Sequence, residues 1–281
     1  MRMISKSSIC AAMLATVSAL CVAEPSLAKG QVPKPDHVII VMEENHSYSE
    51  IIGSGEAKYI NTLADNGALF TQSFAIEHPS QPNYLDLFSG ANQNVDGDDC
   101  PNSFGKIANE ESELIKKGLS FRGYSEELPS KGSEVCTQGE YARKHVPWTN
   151  FTNDPGKYSL PFTNFPTNYA KLPTVSWIIP DLLDDMHDGT IQEGDTWLED
   201  NLAGYVNWVQ SNNSLLIVTW DEDDGTQNNQ VPTIFIGPMV KSGQYSEHIN
   251  HYNVLRTIEA MYGLKPIANE KNVQPITDVW Q

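Results

Sequence analysis

Four short apolar runs punctuate the chain: HVIIVM (37–42), TVSWII (174–179), LLIVTW (215–220) and VPTIFIG (231–237). Continuous apolar runs of this length read as strands covered on both faces. Between them lie segments of helical period. YINTLADNGALF (59–70) follows the first run, TWLEDNLAGYVNWVQ (196–210) precedes the third and HYNVLRTIEAMYGL (251–264) follows the last. Apolar strands alternating with amphipathic helices predict an α/β fold, a mostly parallel central sheet with helices on both faces. In such sheets ligands bind outside the carboxyl ends of the strands.

Three of the runs end in acid. Glu43-Glu44-Asn45 follows the first, PDLLDDMHDG with Asp181, Asp184, Asp185, His187 and Asp188 follows the second, and Asp221-Glu222-Asp223-Asp224-Gly225 follows the third. Any one of these alone reads as a turn. If the three strands are neighbours, the carboxylates converge in one crevice and repel unless a divalent cation neutralises them. DEDDG is no EF-hand loop, because its spacing fails and Pro232 stands where the closing Glu belongs.

A fourth feature is EHPSQPNYLDLFSG (77–90). Pro82 sits just inside a helix start, NYLDLF has helical spacing and Ser-Gly closes the segment. Ser80 therefore falls on an exposed tight turn at the positive end of a helix, beside His78. Such a serine is either a capping residue or a nucleophile facing an anion.

The chain of 281 residues carries a net charge of −18 with a pI near 4.6. That surface argues against nucleic acid or anionic membrane as the main partner. Residues 1–28 read as a secretory signal: Arg2 and Lys6, an apolar run from Ile9 to Val22, and SLA before Lys29. The run is short for a membrane span, so no stable anchor is expected, and the location is secreted or periplasmic. Cys10 and Cys21 leave with the leader. Cys100 and Cys136 remain, an even pair expected to form one disulfide. Residues 29–281 suit a single domain, with Asn92 to Leu172 forming a loop-rich cap in which Trp148, Phe151, Phe162, Phe165 and Tyr169 serve mostly as packing. Oligomeric state is not encoded in any feature of the chain.

HVIIVMEENHSY, HPSQPNYLDLFSG, PDLLDDMHDG followed by GDTWL, IVTWDEDDG and HYNVLRTIEAMYGL stand in the order found in the bacterial phosphoesterase family, which the chain resembles over nearly its whole mature length. That family holds secreted acid phosphatases and phosphocholine-type phospholipases C, within the alkaline phosphatase superfamily. The resemblance implies Ser80 as nucleophile and Glu44, Asn45, Asp221 and Glu222 as metal ligands. It further places Asp185 and His187 near the phosphate or a second metal, with His251 joining them, and Lys144 and His145 near the substrate. Asn83 either caps the helix or helps hold the phosphate-binding turn. The implied cofactor is a divalent ion, zinc, calcium, magnesium or manganese, with one ion favoured over two because the histidine-rich second site is thin.

Two departures narrow the reading. The phospholipase branch carries Asp-Glu-His-Gly-Gly where this chain has DEDDG. Sulfatases need Arg in the x-Pro-x-Arg motif, and here Asn83-Tyr84 follows Pro82. The expected activity is therefore an acid-phosphatase-type phosphomonoesterase acting on a small phosphorylated substrate through phosphoserine. His187, His251 and His145 are the candidate general acids. The alternatives are a phospholipase C-type phosphodiesterase and a catalytically silent anion- or metal-binding protein.

Overall fold

The computed structural model describes residues 31–153 and 156–281, so the expected leader, with Cys10 and Cys21, lies outside the described residues. In chain order the strands are β1 (His37–Glu43), β2 (Ala68–Phe70), β3 (Ser73–Phe74), β4 (Phe121–Ser125), β5 (Thr137–Gln138), β6 (Tyr141–Ala142), β7 (Ser159–Pro161), β8 (Val175–Ile179), β9 (Ser214–Trp220), β10 (Thr233–Ile236), β11 (Gly243–Tyr245) and β12 (Ile249–Asn250). The α-helices are α1 (Tyr48–Ile51), α2 (Lys58–Asn66), α3 (Ser80–Ser89), α4 (Glu110–Lys116), α5 (Ile191–Val209) and α6 (His251–Tyr262). Among the described residues the main sheet has eight strands in the order β11-β2-β10-β9-β1-β8-β4-β7. Every pairing is parallel except those of β10, which runs against both β9 and β2. The expected α/β architecture is the one observed.

The sheet is covered on both faces because its central strands are apolar at every position. On β1, Val38, Ile40 and Met42 face one core with Phe88, Trp148 and Trp177. Ile39 and Val41 face the other, with Trp197 and Tyr205 of α5. Fully burying one such side chain contributes roughly 1.5–3 kcal/mol, so two double-sided layers supply the main cohesion. Among the described residues, no helix is long and apolar enough to cross a membrane.

Two expectations need correction. The helical period at 59–70 spans two elements: α2 stops at Asn66, and after Gly67 the segment Ala68–Phe70 enters the sheet as β2 between β10 and β11. Phe70 falls seven residues after Leu63 and Ala68 eight after Ile60, both helical offsets, which disguised the change. The stretch 92–172 is more than a cap. It supplies β4 and β7 to the main sheet and buries Trp148 and Phe151 in the core. The disulfide between Cys100 and Cys136 is present, with sulfurs 2.07 Å apart.

Close packing at one glycine yields a stability prediction. A Cβ on Gly123 of β4 would overlap the Trp148 indole, with Cδ2 at 2.7 Å and two ring atoms closer still. Phe88, Phe121 and Trp177 hem that ring in, so it has no room to retreat. Gly123→Ala should lower stability by about 1–3 kcal/mol, measured as the shift in denaturation midpoint.

The face carrying α3 and α6 also buries carboxyls. Burial pushes Glu110 and Asp86 up to about 8, each opposed by a donor, Trp177 Nε1 and the Tyr252 hydroxyl. Burial likewise raises Glu270 to about 8 and Glu259 to about 7. These folded-state values lie above the unfolded ones, so the folded chain holds more protons between the two. Their stabilising contribution is complete below the unfolded values and is lost as pH rises through about 7 to 8. The chemical denaturation midpoint should therefore fall between pH 5 and pH 8.5. An unchanged or rising midpoint would contradict the assignment.

Candidate active site

The carboxyl ends of β1 and β9 set the centre of the site. Their parallel register pairs Glu43 with Trp220, so Glu44-Asn45 and Asp221-Glu222 leave the sheet side by side. The Asp221 N–H donates to the Glu43 carbonyl at 3.0 Å, and the Glu44 N–H donates to the Asp185 carbonyl at 2.8 Å. Asn45 adopts the left-handed region (φ 51°), which asparagine tolerates, and its N–H donates to Asp221 Oδ1 at 3.1 Å. Met186 (φ 78°) gives the turn after β8 a comparable kink. That turn brings Asp185 and His187 to the same crevice.

Ser80 is the first residue of α3, and the structure corrects its expected exposure: it is buried, at 1 %. Its Oγ lies 2.9 Å from Glu44 Oε2 and 3.0 Å from Glu222 Oε1, either of which can accept its proton. The amide head of Asn45 lies 3.1 Å from the same two carboxylate oxygens. Ser80, Glu44, Asn45, Asp221 and Glu222 are thus brought together. Asn83 is not turned to a substrate. It accepts from the Ile76 and Glu77 N–H groups and donates to the Glu77 and Pro79 carbonyls, so its whole amide holds the turn before Ser80.

A second group adjoins the first. His145, in the 3-10 turn Arg143–His145, has Nε2 3.1 Å from Glu44 Oε1 and Nδ1 3.2 Å from Asp185 Oδ2. Lys144 Nζ lies 3.1 Å from His187 Nε2, and His187 Nδ1 faces Asp188. Glu44, His145 and His187 each offer a ligand atom within 4.8 Å of the others. His251 stands apart from Ser80: buried beneath the site, its Nε2 hydrogen bonds to the Asp221 carbonyl, and burial lowers its pKa to about 4. Through that hydrogen bond it holds the end of β9.

Three contributors escaped the sequence reading. Tyr84, one helical turn after Ser80, donates a short hydrogen bond to Glu44 Oε1 and stacks on His145, ring centroids 5.0 Å apart. Their four-residue spacing on α3 was the available signal. His78, beside Ser80 in the sequence, makes a short contact through its Nδ1 with Glu222 Oε2. Asp98 arrives from a loop without periodicity, and nothing in the sequence marked it. Its Oδ1 accepts from the Gln81 N–H at 3.0 Å, and its Oδ2 pairs with Lys144 Nζ at 3.1 Å.

Electrostatically the centre is crowded with negative charge. Burial raises Glu44, Asp185, Asp221 and Glu222 above the usual carboxylate range, and mutual repulsion adds to it. Burial lowers His145, with Lys144 and His187 adding to the effect. Asp221 Oδ2 is buried without a hydrogen-bond partner. Carboxylates, one amide and one hydroxyl gather around Ser80, with one oxygen unsatisfied, and donors of this kind suit a hard divalent cation. The first turn of α3 contributes the Gln81 N–H, a backbone donor suited to a phosphate oxygen.

A buried serine at a helix N-terminus among acidic and histidine side chains, on a mostly parallel sheet, suits a hydrolase of phosphoric esters. The chain belongs to the Phosphoesterase family, whose model matches residues 54–265. Glu44 and Asn45 precede the matched stretch. The chain is 51 % identical over 261 residues to a phosphatidylinositol-3-phosphatase of Mycobacterium tuberculosis, covering 92 % of this chain and 87 % of that one. It is 28 % identical over 242 residues to an acid phosphatase of Aspergillus fumigatus, covering 79 % of this chain and 53 % of the fungal protein. A solved structure in the alkaline phosphatase superfamily from Vibrio parahaemolyticus shares the fold, with a TM-score of 0.60 at 12 % identity over 88 % of this chain and 72 % of that one.

Asp98 holds a donor and a cation that an anionic ligand would use. Asp98→Ala should therefore tighten competitive inhibition by inorganic phosphate by roughly 2–5-fold, the scale of one charge at a helix N-terminus. Weaker inhibition would show that Asp98 serves the ligand rather than competing with it.

Proposed function

We propose that the chain is an exported, metal-dependent phosphomonoesterase that works through a phosphoserine on Ser80. One observation carries the reading: the Ser80 hydroxyl lies within 3.0 Å of Glu44 and Glu222 at the amino end of α3. A hard divalent cation held by Glu44, Asn45, Asp221 and Glu222 would supply positive charge to lower the hydroxyl pKa and offset the carboxylates' repulsion. Zinc, calcium, magnesium and manganese all suit these oxygen donors. The disulfide supports an oxidising, extracytoplasmic location.

In the first step Ser80 Oγ passes its proton to Glu222 or Glu44 and bonds to phosphorus, while the ester bond to the leaving alcohol breaks. Lys144 and the Gln81 N–H hold the non-bridging oxygens. We assign the general acid to His187, which is partly exposed; once Lys144 turns from its Nε2 to the phosphate, that nitrogen can carry the proton given to the leaving alkoxide. Water then attacks the phosphoserine and gives a proton to His187, inorganic phosphate departs, and the Ser80 oxygen takes back the proton held by Glu222 or Glu44. His78, 47 % exposed on Glu222, connects that carboxylate to bulk solvent.

The names of the two relatives favour a monoester over a diester, and an inositol lipid bearing a 3-phosphate is the first natural substrate to try. Hydrolysis of a chromogenic phosphate monoester and the matching diester, with chelator and with each cation restored, tests the proposal. Monoester turnover should need the cation and fall by about 10⁴-fold or more in Ser80→Ala. Turnover surviving that change would exclude the phosphoserine route. Preference for the diester would favour the phospholipase C-type reaction.

A further inference from the structure

The turn after β8 has a second acidic face. Asp185 and His187 face His145 and Lys144, beside the Ser80 group, whereas Asp181 and Asp184 gather with Glu126, which follows β4. One carboxylate oxygen from each of Glu126, Asp181 and Asp184 lies within 4.8 Å of the others. The main chain and one indole partly organise them. Trp197 Nε1 donates to Glu126 Oε1 at 3.0 Å and the Asp181 N–H to Oε2 at 3.2 Å, while Asp181 Oδ1 accepts the N–H groups of Leu183 and Asp184.

Such a cluster gains meaning from Glu43. This last residue of β1 is fully buried, and neither of its carboxylate oxygens has a hydrogen-bond partner. Side chains alternate along a strand, and Ile39 and Val41 pack on the face that holds Trp197 and Met186, so Glu43 projects to that same face. The charges bearing most strongly on it are those of Asp184, Glu126 and Asp195. Lys116, Lys144 and Arg256 pair elsewhere, with Glu113, Asp98 and Glu259. Of the cluster, Asp184 also lines an open cavity of about 500 Å³, together with Thr190, Glu193 and Trp197.

We propose that Glu126, Asp181 and Asp184, on the sheet face to which the unpartnered Glu43 projects, form a second site for a hard divalent cation of calcium type, separate from the oxygens around Ser80. Oxygen donors from carboxylates on three chain segments suit calcium, which accepts irregular coordination, better than magnesium, which demands near-octahedral geometry. The site braces the turn that presents Asp185 and His187 from the side opposite the reaction. Its role is structural, and it stands whether or not Ser80 is the nucleophile.

The test measures cation binding alone on chelator-treated full chain. In an Asp221→Asn background, which removes a ligand from the Ser80 group, calcium should still be taken up in equilibrium dialysis. Terbium in its place should give emission on indole excitation, because Trp197 touches Glu126. Adding Glu126→Gln and Asp184→Asn should weaken both by about tenfold or more. Trp197→Phe in the Asp221→Asn background should dim terbium emission while calcium uptake persists. Calcium uptake unchanged by the paired substitutions would overturn the proposal, as would terbium emission indifferent to Trp197. If circular dichroism shows the paired variant unfolded, Asp184→Asn alone, at the cavity wall, should still weaken calcium by about tenfold, and unaltered affinity there would equally overturn it.

Discussion

The molecule is organised around a forced meeting of like charges. Burying β1, β8 and β9 on both faces drives their carboxyl ends together, and each end delivers acid to the same crevice. Two charges 4 Å apart repel by about 4 kcal/mol at an effective dielectric of 20. Several such repulsions are affordable only because the apolar strands beneath them bury so completely. The crevice therefore stores a demand for positive charge. Lys144, the first turn of α3, His78 and the proposed cation are the groups that meet it.

This arrangement separates scaffold from chemistry. The Vibrio structure shares the fold at 12 % identity, which speaks to the sheet and its helices and not to any reaction. What specialises this chain is a small set of side chains and their supports. Tyr84 braces Glu44, His251 holds the Asp221 carbonyl and Asn83 ties the turn before Ser80. Each is buried or nearly so and has its polar atoms engaged with neighbours in the site. Replacing any of them would disturb the geometry of a neighbour before it removed a reacting group.

Much of this was legible in the sequence because it is local. HVIIVM and LLIVTW announce buried strands, and the acids behind them announce a crevice once the strands are neighbours. Pro82 and Gly90 bracket α3, and Gly90 does close it in the left-handed conformation (φ 73°). Long-range placement was not legible. β2 hid behind Gly67 as a continuation of α2, and β4 and β7 lay in a segment too rich in turns to show a pattern. Asp98 reaches the Gln81 N–H only because a loop folds back, tied by Cys100 to Cys136, and no periodicity encodes that. The burial of Ser80 was missed for the same reason: the residues that cover it are distant in sequence.

The seven-residue register between β1 and β9 has a consequence for how this chain can change over evolutionary time. A single residue gained or lost inside either strand would turn Glu44 or Asp221 to the opposite face of the sheet. Length changes are thereby excluded from the two strands. Outside the turn that carries Lys144 and His145, the loops between β4 and β7 carry no register constraint and can lengthen at little thermodynamic cost. Families built on this plan can thus diverge widely in size and surface while the spacing from Val38 to Asn45, and from Leu215 to Glu222, stays fixed.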